Sequence, residues 1–467
     1  MKTRHPDRCN MAAAAIILLA TSVFVICSRG ELWFDEVLSL QWAKNASTPW
    51  QLLTDYRHDN NHLLNSLWLW LVGTKAPEMA LRALAVISGT ATLVLIYLLG
   101  SIFSPQTKLV PLILAAGSYA IVLYSSEARG YAPALAASLG CLWIWLRVEG
   151  RPSLPSLAAF WAMAAAGLLA HPTTVYLLAA LGCWQLGRKN LAVPATLRDV
   201  RNALCWFSPP AGLALILYIF FFRGMDVAGG PTLSPMAIAS DFFHYGLGIF
   251  DGPDRPWVGV FAGATLVLAG LVWGSHPLAG QRIFFLMLLL VFPVLGYWLA
   301  GREYVYFRYF LICLPPLFLL LGCLAERLWV SGQVGKALVS IAIALSVGAQ
   351  IRPILELAQQ GRGACRAVLQ TIKQGSGGST DVFSDHDMMV GMVFEHYRAR
   401  EPGGEAIVYR TQWSMPKSHC QWLLAQPGLL PITPTREIDG HFYQHVQTFF
   451  RGRVSGADWI LYRRASM

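Results

Sequence analysis

Charge is what this chain lacks. Only 13% of its 467 residues are Asp, Glu, Lys or Arg, against 55% hydrophobic, about half the charged share of ordinary soluble domains. A water-soluble fold cannot hide so much Leu, Ala, Phe and Trp behind so little charge, so that class is excluded. Also missing are a phosphate-cradling nucleotide loop, an HExxH-type metal spacing, a repeat of solenoid length, and any low-complexity tract beyond "KQGSGGSTD". The first apolar block, Met11 to Cys27, ends in "VFVICSRGELWF" without a good small-x-small cleavage site, so it reads as a retained helix rather than a secretory signal. The net charge of +10 is scattered through short loops instead of forming the basic stripe that nucleic acid requires. A membrane with positive loops on its cytoplasmic side accounts for it better.

Long apolar blocks are plentiful. Blocks near the bilayer length fall at about 11–28, 81–100, 108–125, 131–147, 156–170, 173–187, 203–222, 257–274, 283–300, 308–325 and 337–352, about eleven spans in an α-helical polytopic membrane protein. With the N-terminus inside, the cytoplasmic loops carry Lys108, Arg147, Arg151, Arg188, Lys189, Arg198, Arg201, Arg282, Arg327 and Lys336. The outer loops are acid-rich, with Asp35, Glu36, Asp55, Asp59 and Glu78 in the first. An odd number of spans leaves the C-terminus outside. The expected location is a bacterial cytoplasmic membrane.

Beyond residue 352 the composition changes to Gly/Ser punctuation, more charge and short apolar strands such as "AIVY" and "DWILY". Residues 1–352 are expected to be the transmembrane catalytic domain, and 353–467 a small extracytoplasmic α/β domain. Seven of the nine cysteines lie in or beside apolar spans; the other two, Cys365 and Cys420, lie in the second domain. Two thiols in an oxidising compartment suggest a disulfide.

The stretch "RGELWFDEVLSL", residues 29–40, places Asp35 and Glu36 side by side just after the first span. The long loop that follows holds "STPWQLLTDYRHD" and "NHLLNSLWLWLVG", amphipathic segments too short to span, which fit interfacial helices. "RHDNNH", Arg57 to His62, reads either as a solvated turn or as a wall of the cavity that Asp35 faces. Other outer loops repeat the mixture. "YSSEARGYAPA" carries Glu127, Arg129 and Tyr131, "LLAHPTTVYLL" carries His171, and "GREYVYFRYF" carries Arg302, Glu303, Tyr304, Arg308 and Tyr309, while Arg82 opens the second span. Singly, each reads as an interfacial anchor. Gathered on one face, they read as a site, because ionisable groups at membrane depth are costly.

Arginines bind phosphate through charge-assisted, often bidentate hydrogen bonds, and a carboxylate can take a proton from a hydroxyl or amine. Together they suit displacement of a lipid phosphate from a sugar carbon, with the arginines neutralising the departing anion. The order of "LWFDEVLSL", "HDNNHLLNSLWLWL", "ALRALAVISGTAT", "YSSEARGYA", "LLAHPTTVYLL" and "YVYFRYFLICLPP" resembles the GT-C superfamily of polytopic glycosyltransferases over about residues 10–350. The similarity is greatest to the branch of protein O-mannosyltransferases and the aminoarabinose transferase of lipid A. That resemblance implies a polyprenyl-phosphate sugar donor, an envelope glycan, lipid or protein acceptor, and inverting transfer. It also implies Asp35 as base, Glu36 in support, and Arg82 and Arg129 as lipid-phosphate contacts. Tyr131, His58, His62 and His171 fit further site positions, as do Arg302, Tyr304 and Arg308 on the same face. The family often has Asn-His-Pro-Pro where this chain has "NNHLLN", so the turn after His62 is expected to differ in shape.

Asp35, Glu36, His58 and His62 offer oxygen and nitrogen ligands, but without a recognised metal spacing; no metal and no other cofactor is expected. The rival reading is a transporter or flippase of lipid-linked sugars, which needs polar residues along a path through mid-membrane. Few occur in these spans. A ligase or polymerase of surface glycan fits less well because the large outer loop comes first, and a silent lipid-binding scaffold has no need of the acid pair.

Overall fold

The computed structural model describes residues 8–187, 196–227, 232–249, 256–299, 304–411, 420–426, 432–450, 454–456 and 458–465. The first helix, α1 (Arg8–Cys27), is followed by three short ones before the next long helix: α2 (Phe34–Asn45), the single turn α3 (Gln51–Thr54) and α4 (Leu63–Val72). The bundle continues with α5 (Glu78–Phe103), α6 (Leu109–Gly117), α7 (Tyr119–Tyr124), α8 (Tyr131–Arg147), α9 (Leu154–Ala170), α10 (Thr174–Gly187) and α11 (Leu197–Leu217). It closes with α12 (Pro235–Leu247), α13 (Pro256–Trp273), α14 (Gln281–Leu286), α15 (Phe292–Leu299), α16 (Leu314–Trp329) and α17 (Gln333–Gln360).

Every expected span coincides with helix, and the chain is a multi-pass membrane protein. Among the described residues, seven helical stretches are long and apolar enough to cross a bilayer: α1, α5, Leu197–Phe222, α13, Gln281–Leu299, Phe307–Trp329 and α17. The other expected spans fall on shorter helices. The block at 108–125 is broken, because Ser118 takes an extended backbone between α6 and α7. A break inside a membrane bundle frees peptide groups that protein must satisfy. Here Gln350 accepts the Tyr119 N–H at 3.1 Å, and the Ser118 hydroxyl reaches the Tyr245 carbonyl at 3.4 Å.

After α17 the chain forms an α/β unit on one end of the bundle: α18 (Cys365–Gly375), β1 (Thr380–Ser384), α19 (Met392–Arg398), β2 (Ile407–Arg410), β3 (Trp422–Ala425), β4 (Thr435–Ile438), β5 (His441–Phe449) and β6 (Trp459–Arg464). The strands make one sheet in the order β2-β1-β3-β6-β5-β4, with β1 parallel to β2 and β3 and the remaining pairs antiparallel.

Strand alternation gives the sheet two apolar faces. Val382, Trp422, Leu424, Trp459 and Leu461 point to one face, where α18 and α19 pack together with Leu32, Val37 and Leu40 of the Asp35 segment. Phe383, Leu423, Ala425, Ile460 and Tyr462 point to the other, around Cys420 and Tyr443. The expected Cys365–Cys420 disulfide is therefore corrected. Both thiols are free, and they lie in separate cores with the sheet between them. Burial pushes the Cys420 thiol up to about 11, which keeps it protonated and unreactive. Both cysteines are expected to alkylate fully in denaturant without reductant, as read by intact mass. A 2 Da deficit that reductant abolishes contradicts the assignment.

Candidate active site

The two adjacent carboxylates go to different partners. A helix puts successive side chains about 100° apart, so Asp35 and Glu36 at the start of α2 diverge. Glu36 points inward and is 1% exposed. Arg82, fully buried on α5, grips it bidentately, Nε to Oε1 at 2.7 Å and Nη2 to Oε2 at 2.5 Å. The Ala128 N–H adds 2.7 Å to Oε1, and the Trp33 N–H 3.1 Å to Oε2 as the reciprocal bond of a helix cap. Burial pushes the Glu36 carboxyl up, but Arg82 outweighs it and holds the group below its ordinary value.

Arg82 spends its remaining donors on the carbonyls of Ser28 (2.9 Å), Gly30 (2.5 Å) and Glu31 (2.8 Å). All five guanidinium N–H groups are used, so Arg82 has none to offer a ligand. It is the bracket that fixes the segment leading into α2.

Asp35 keeps 16% of its side-chain surface exposed and meets Arg129 at 2.8 Å, Oδ2 to Nη1. Its backbone is fixed from the "RHDNNH" turn: Asn60 Nδ2 donates to the Asp35 carbonyl at 2.7 Å, and the Ser39 hydroxyl does so at 3.0 Å. The Glu127–Arg129 turn is pinned in the same way, with Asn65 Nδ2 on the Ala128 carbonyl at 2.7 Å. Gly130 makes this closeness possible, since a Cβ there would stand 2.0 Å from the Ala170 carbonyl and 2.8 Å from His62 Cβ.

That contact draws the third polar loop into place. His62 and His171 stack at 5.2 Å between ring centres, and Tyr131 lies against both at 5.0 and 4.9 Å. The His171 Nδ1 is bonded to Thr173 Oγ1 at 2.7 Å. Burial, reinforced by Arg129 and Arg308, depresses His171 to about 3, so the imidazole is neutral at physiological pH. The unfolded chain then takes up a proton below about pH 6.5 that the folded one refuses until about pH 3. The stability this residue contributes is whole above pH 6.5 and is lost as pH falls through that window. His171→Asn is expected to flatten the fall in melting temperature between pH 7 and 4.5, measured by thermal unfolding in detergent.

His62, His171 and Thr173 line a cavity of about 270 Å³, with Asp59, Tyr304 and Tyr309 completing its polar side. Tyr176, Phe221, Phe222 and Phe310, from the bundle, line its apolar side. The Tyr309 hydroxyl donates to Asp59 Oδ2 at 3.2 Å. Tyr304 has a left-handed backbone, φ 53°. Arg308 lies 4.3 Å from the Tyr306 ring centre and 5.5 Å from that of Tyr309. Its Nε is buried without a hydrogen-bond partner, as is the Tyr131 hydroxyl.

The charges nearly balance. Asp35, Glu36 and Glu127 face Arg82, Arg129 and Arg362, whereas no carboxylate forms an ion pair with Arg308 among the described residues. His58 lies outside the cavity lining, at 2.9 Å from Asp59 and tilted against Trp42 at 5.2 Å between ring centres. Arg302 and Glu303 lie outside the described residues. No group of three or more His, Cys, Asp or Glu side chains able to hold a metal stands together among the described residues. Arg362 and Ser455 were not legible as site neighbours; both sit in polar stretches that read as loop.

No protein-family model matches the chain, and no curated protein matches it in sequence. Solved structures do match. The chain is similar to ArnT from Cupriavidus metallidurans bound to undecaprenyl phosphate, with 13% identity, TM-score 0.50, 96% of this chain and 97% of that one covered. The apo form of that protein gives 11% identity, TM-score 0.51 and 98% of each chain. The arabinofuranosyltransferase AftD from Mycobacteria gives 10% identity and TM-score 0.50, over 98% of this chain and 40% of that one. The chain shares the fold of these structures, a polytopic helical bundle with a small C-terminal α/β unit, as its sequence led us to expect.

Proposed function

We propose that this protein is a membrane glycosyltransferase that moves a sugar from a polyprenyl-phosphate donor to an acceptor at the outer face of a bacterial cytoplasmic membrane. The observation that carries the reading is buried Arg308, which has no carboxylate ion pair among the described residues and packs on Tyr309, a lining residue of a cavity whose other wall is apolar side chains of the bundle. An amphiphile with an anionic head suits both halves. The fold it shares with ArnT, which was solved bound to undecaprenyl phosphate, supports the same donor class.

In this reading Asp35 accepts the proton of an acceptor hydroxyl or amine. The freed lone pair forms a bond to the anomeric carbon from the side opposite the phosphate. The bond from that carbon to the phosphate oxygen breaks, its electrons stay on the phosphate, and the configuration inverts. Arg308 and the Tyr131 hydroxyl take the developing charge. Arg129 holds Asp35 in place and adds positive potential, while Glu36 and Arg82 hold the frame. Transfer needs no further energy source, because the phosphate linkage of the donor supplies it. The α/β unit lies on the same face as the site, which is then the extracytoplasmic one.

The test is transfer in lipid nanodiscs from a panel of polyprenyl-phosphate sugars, read by mass spectrometry of the acceptor. Arg308→Met is expected to weaken binding of the polyprenyl phosphate about 10- to 100-fold, the worth of a charge-assisted hydrogen bond, with the melting temperature nearly unchanged. Unaltered binding removes Arg308 from this role.

A further inference from the structure

We infer that the C-terminal α/β unit is a positioning half of the reaction centre, holding the two backbone segments that present Asp35 and Arg129; this rests on the transferase reading above. Three separate parts of the unit converge on those segments. The first is α18, whose opening N–H groups at Cys365 and Arg366 are accepted by the Glu31 carboxylate at 2.6 and 2.9 Å. The second is α19, whose Tyr397 hydroxyl accepts the buried Leu32 N–H at 2.6 Å. Asp35 follows these anchors by only four and three residues, with its helix starting between.

The third grip is on the Arg129 turn. Ser455, just ahead of β6, donates its hydroxyl to Glu127 Oε2 at 2.9 Å. Arg362, just ahead of α18, lies 3.7 Å from the same oxygen with both side chains fully buried. It also donates to the carbonyls of Cys27 and Leu123 at 3.0 Å each and to Ser126 Oγ at 2.9 Å, tying the end of α1 to the end of α7. Gly456 permits this approach: its φ is +107°, and a Cβ would stand 2.0 Å from the Arg362 carbonyl.

The grip reaches the reacting group through one intermediary. Glu127 Oε1 lies 3.5 Å from Arg129 Nη1, the nitrogen that meets Asp35 at 2.8 Å. Arg129 is thus shared between two carboxylates, one held by the α/β unit and one, Asp35, left partly exposed. A module that merely covered the site or collected acceptor would touch the rim. Burying a full ion pair at the contact is costly, and its return here is the placement of Arg129. Ser455, Tyr397 and Arg362 are positioning residues, since the first and last act through Glu127 and Tyr397 through the Leu32 backbone.

The experiment uses the full chain in nanodiscs with Ser455→Ala and Tyr397→Phe, singly and together. Hydrogen–deuterium exchange is followed on peptides covering residues 28–36 and 124–131, alongside kcat and KM for the lipid-linked donor. Exchange of both peptides is expected to rise about tenfold with the rest of the bundle unchanged, each single variant loosening chiefly its own segment. The kcat is expected to fall about tenfold, with donor KM within about twofold. Unchanged exchange overturns the inference, and so does faster exchange with wild-type kcat. If the double variant does not fold, Ser455→Ala alone carries both measurements. A wild-type protein that transfers nothing from any polyprenyl-phosphate sugar removes the transferase reading, while exchange still decides whether the unit holds the two segments.

Discussion

Replacing Asp35 by Asn is expected to lower transfer by about 10³-fold, the contribution of a well-placed general base. Binding of polyprenyl phosphate should stay within a few-fold of the wild type. The exchange is nearly isosteric, and the amide can still touch Arg129, so neither the turn nor α2 loses its packing. It cannot take a proton from the acceptor. Glu at the same position keeps the chemistry but moves it by one methylene, and a partial loss is expected. Single-turnover transfer with saturating donor separates the chemical step from binding. An Asn variant that transfers at the wild-type rate removes Asp35 from the centre of the mechanism. The same result would leave the fold and the neighbouring cavity standing.

The neighbouring acid behaves differently. Arg82→Met is expected to destabilise the protein by about 3–5 kcal/mol, the cost of leaving one partner of a buried pair uncompensated. Glu36 would keep its bonds from Ala128 and Trp33 but lose the guanidinium that keeps it charged. Three carbonyls, of Ser28, Gly30 and Glu31, would lose their donor at the same time. The measurement is thermal unfolding in detergent together with the yield of monodisperse protein. Restoring neutrality with Glu36→Gln in the Arg82→Met background is expected to recover part of the loss, because the buried charge is then gone. A single Arg82→Met variant that is as stable as wild type but fails to bind the lipid phosphate would return Arg82 to the ligand-binding role implied by family resemblance.

The contrast between these two carboxylates shows how far the sequence can be read. "DE" after an apolar run announces a pair that a loop has no need of, and the gathering of Arg129, Tyr131, His171 and Arg308 at one end of the spans is visible from span counting alone. Which acid stays partly exposed and which is a buried strut depends on Arg82, 46 residues further on. Arg82 and Arg129 look alike as isolated arginines beside spans. One has all five donors consumed and the other stands between two carboxylates. Arg362 lies in "QGRGACR", indistinguishable from a charged linker, yet it is among the most buried side chains in the protein. The cysteine pair failed for a related reason. Compartment and number suggested a bond, but period-two alternation put a sheet between the thiols.

By itself the sequence determined that the chain is a multi-pass membrane protein, that its apolar blocks are helical, and that the polar residues gather at one end of the bundle. Each of these depends on a local property, the apolar content of about 20 consecutive residues and the sign of charge between them. Only the tertiary structure decided that Glu36 pairs with Arg82, that Asp35 meets Arg129, that Arg308 has no carboxylate ion pair among the described residues, and that the α/β unit bonds to the segments around the site. Those are pairings between residues tens to hundreds of positions apart, and the free energy of a buried charge depends on which partner the fold brings to it.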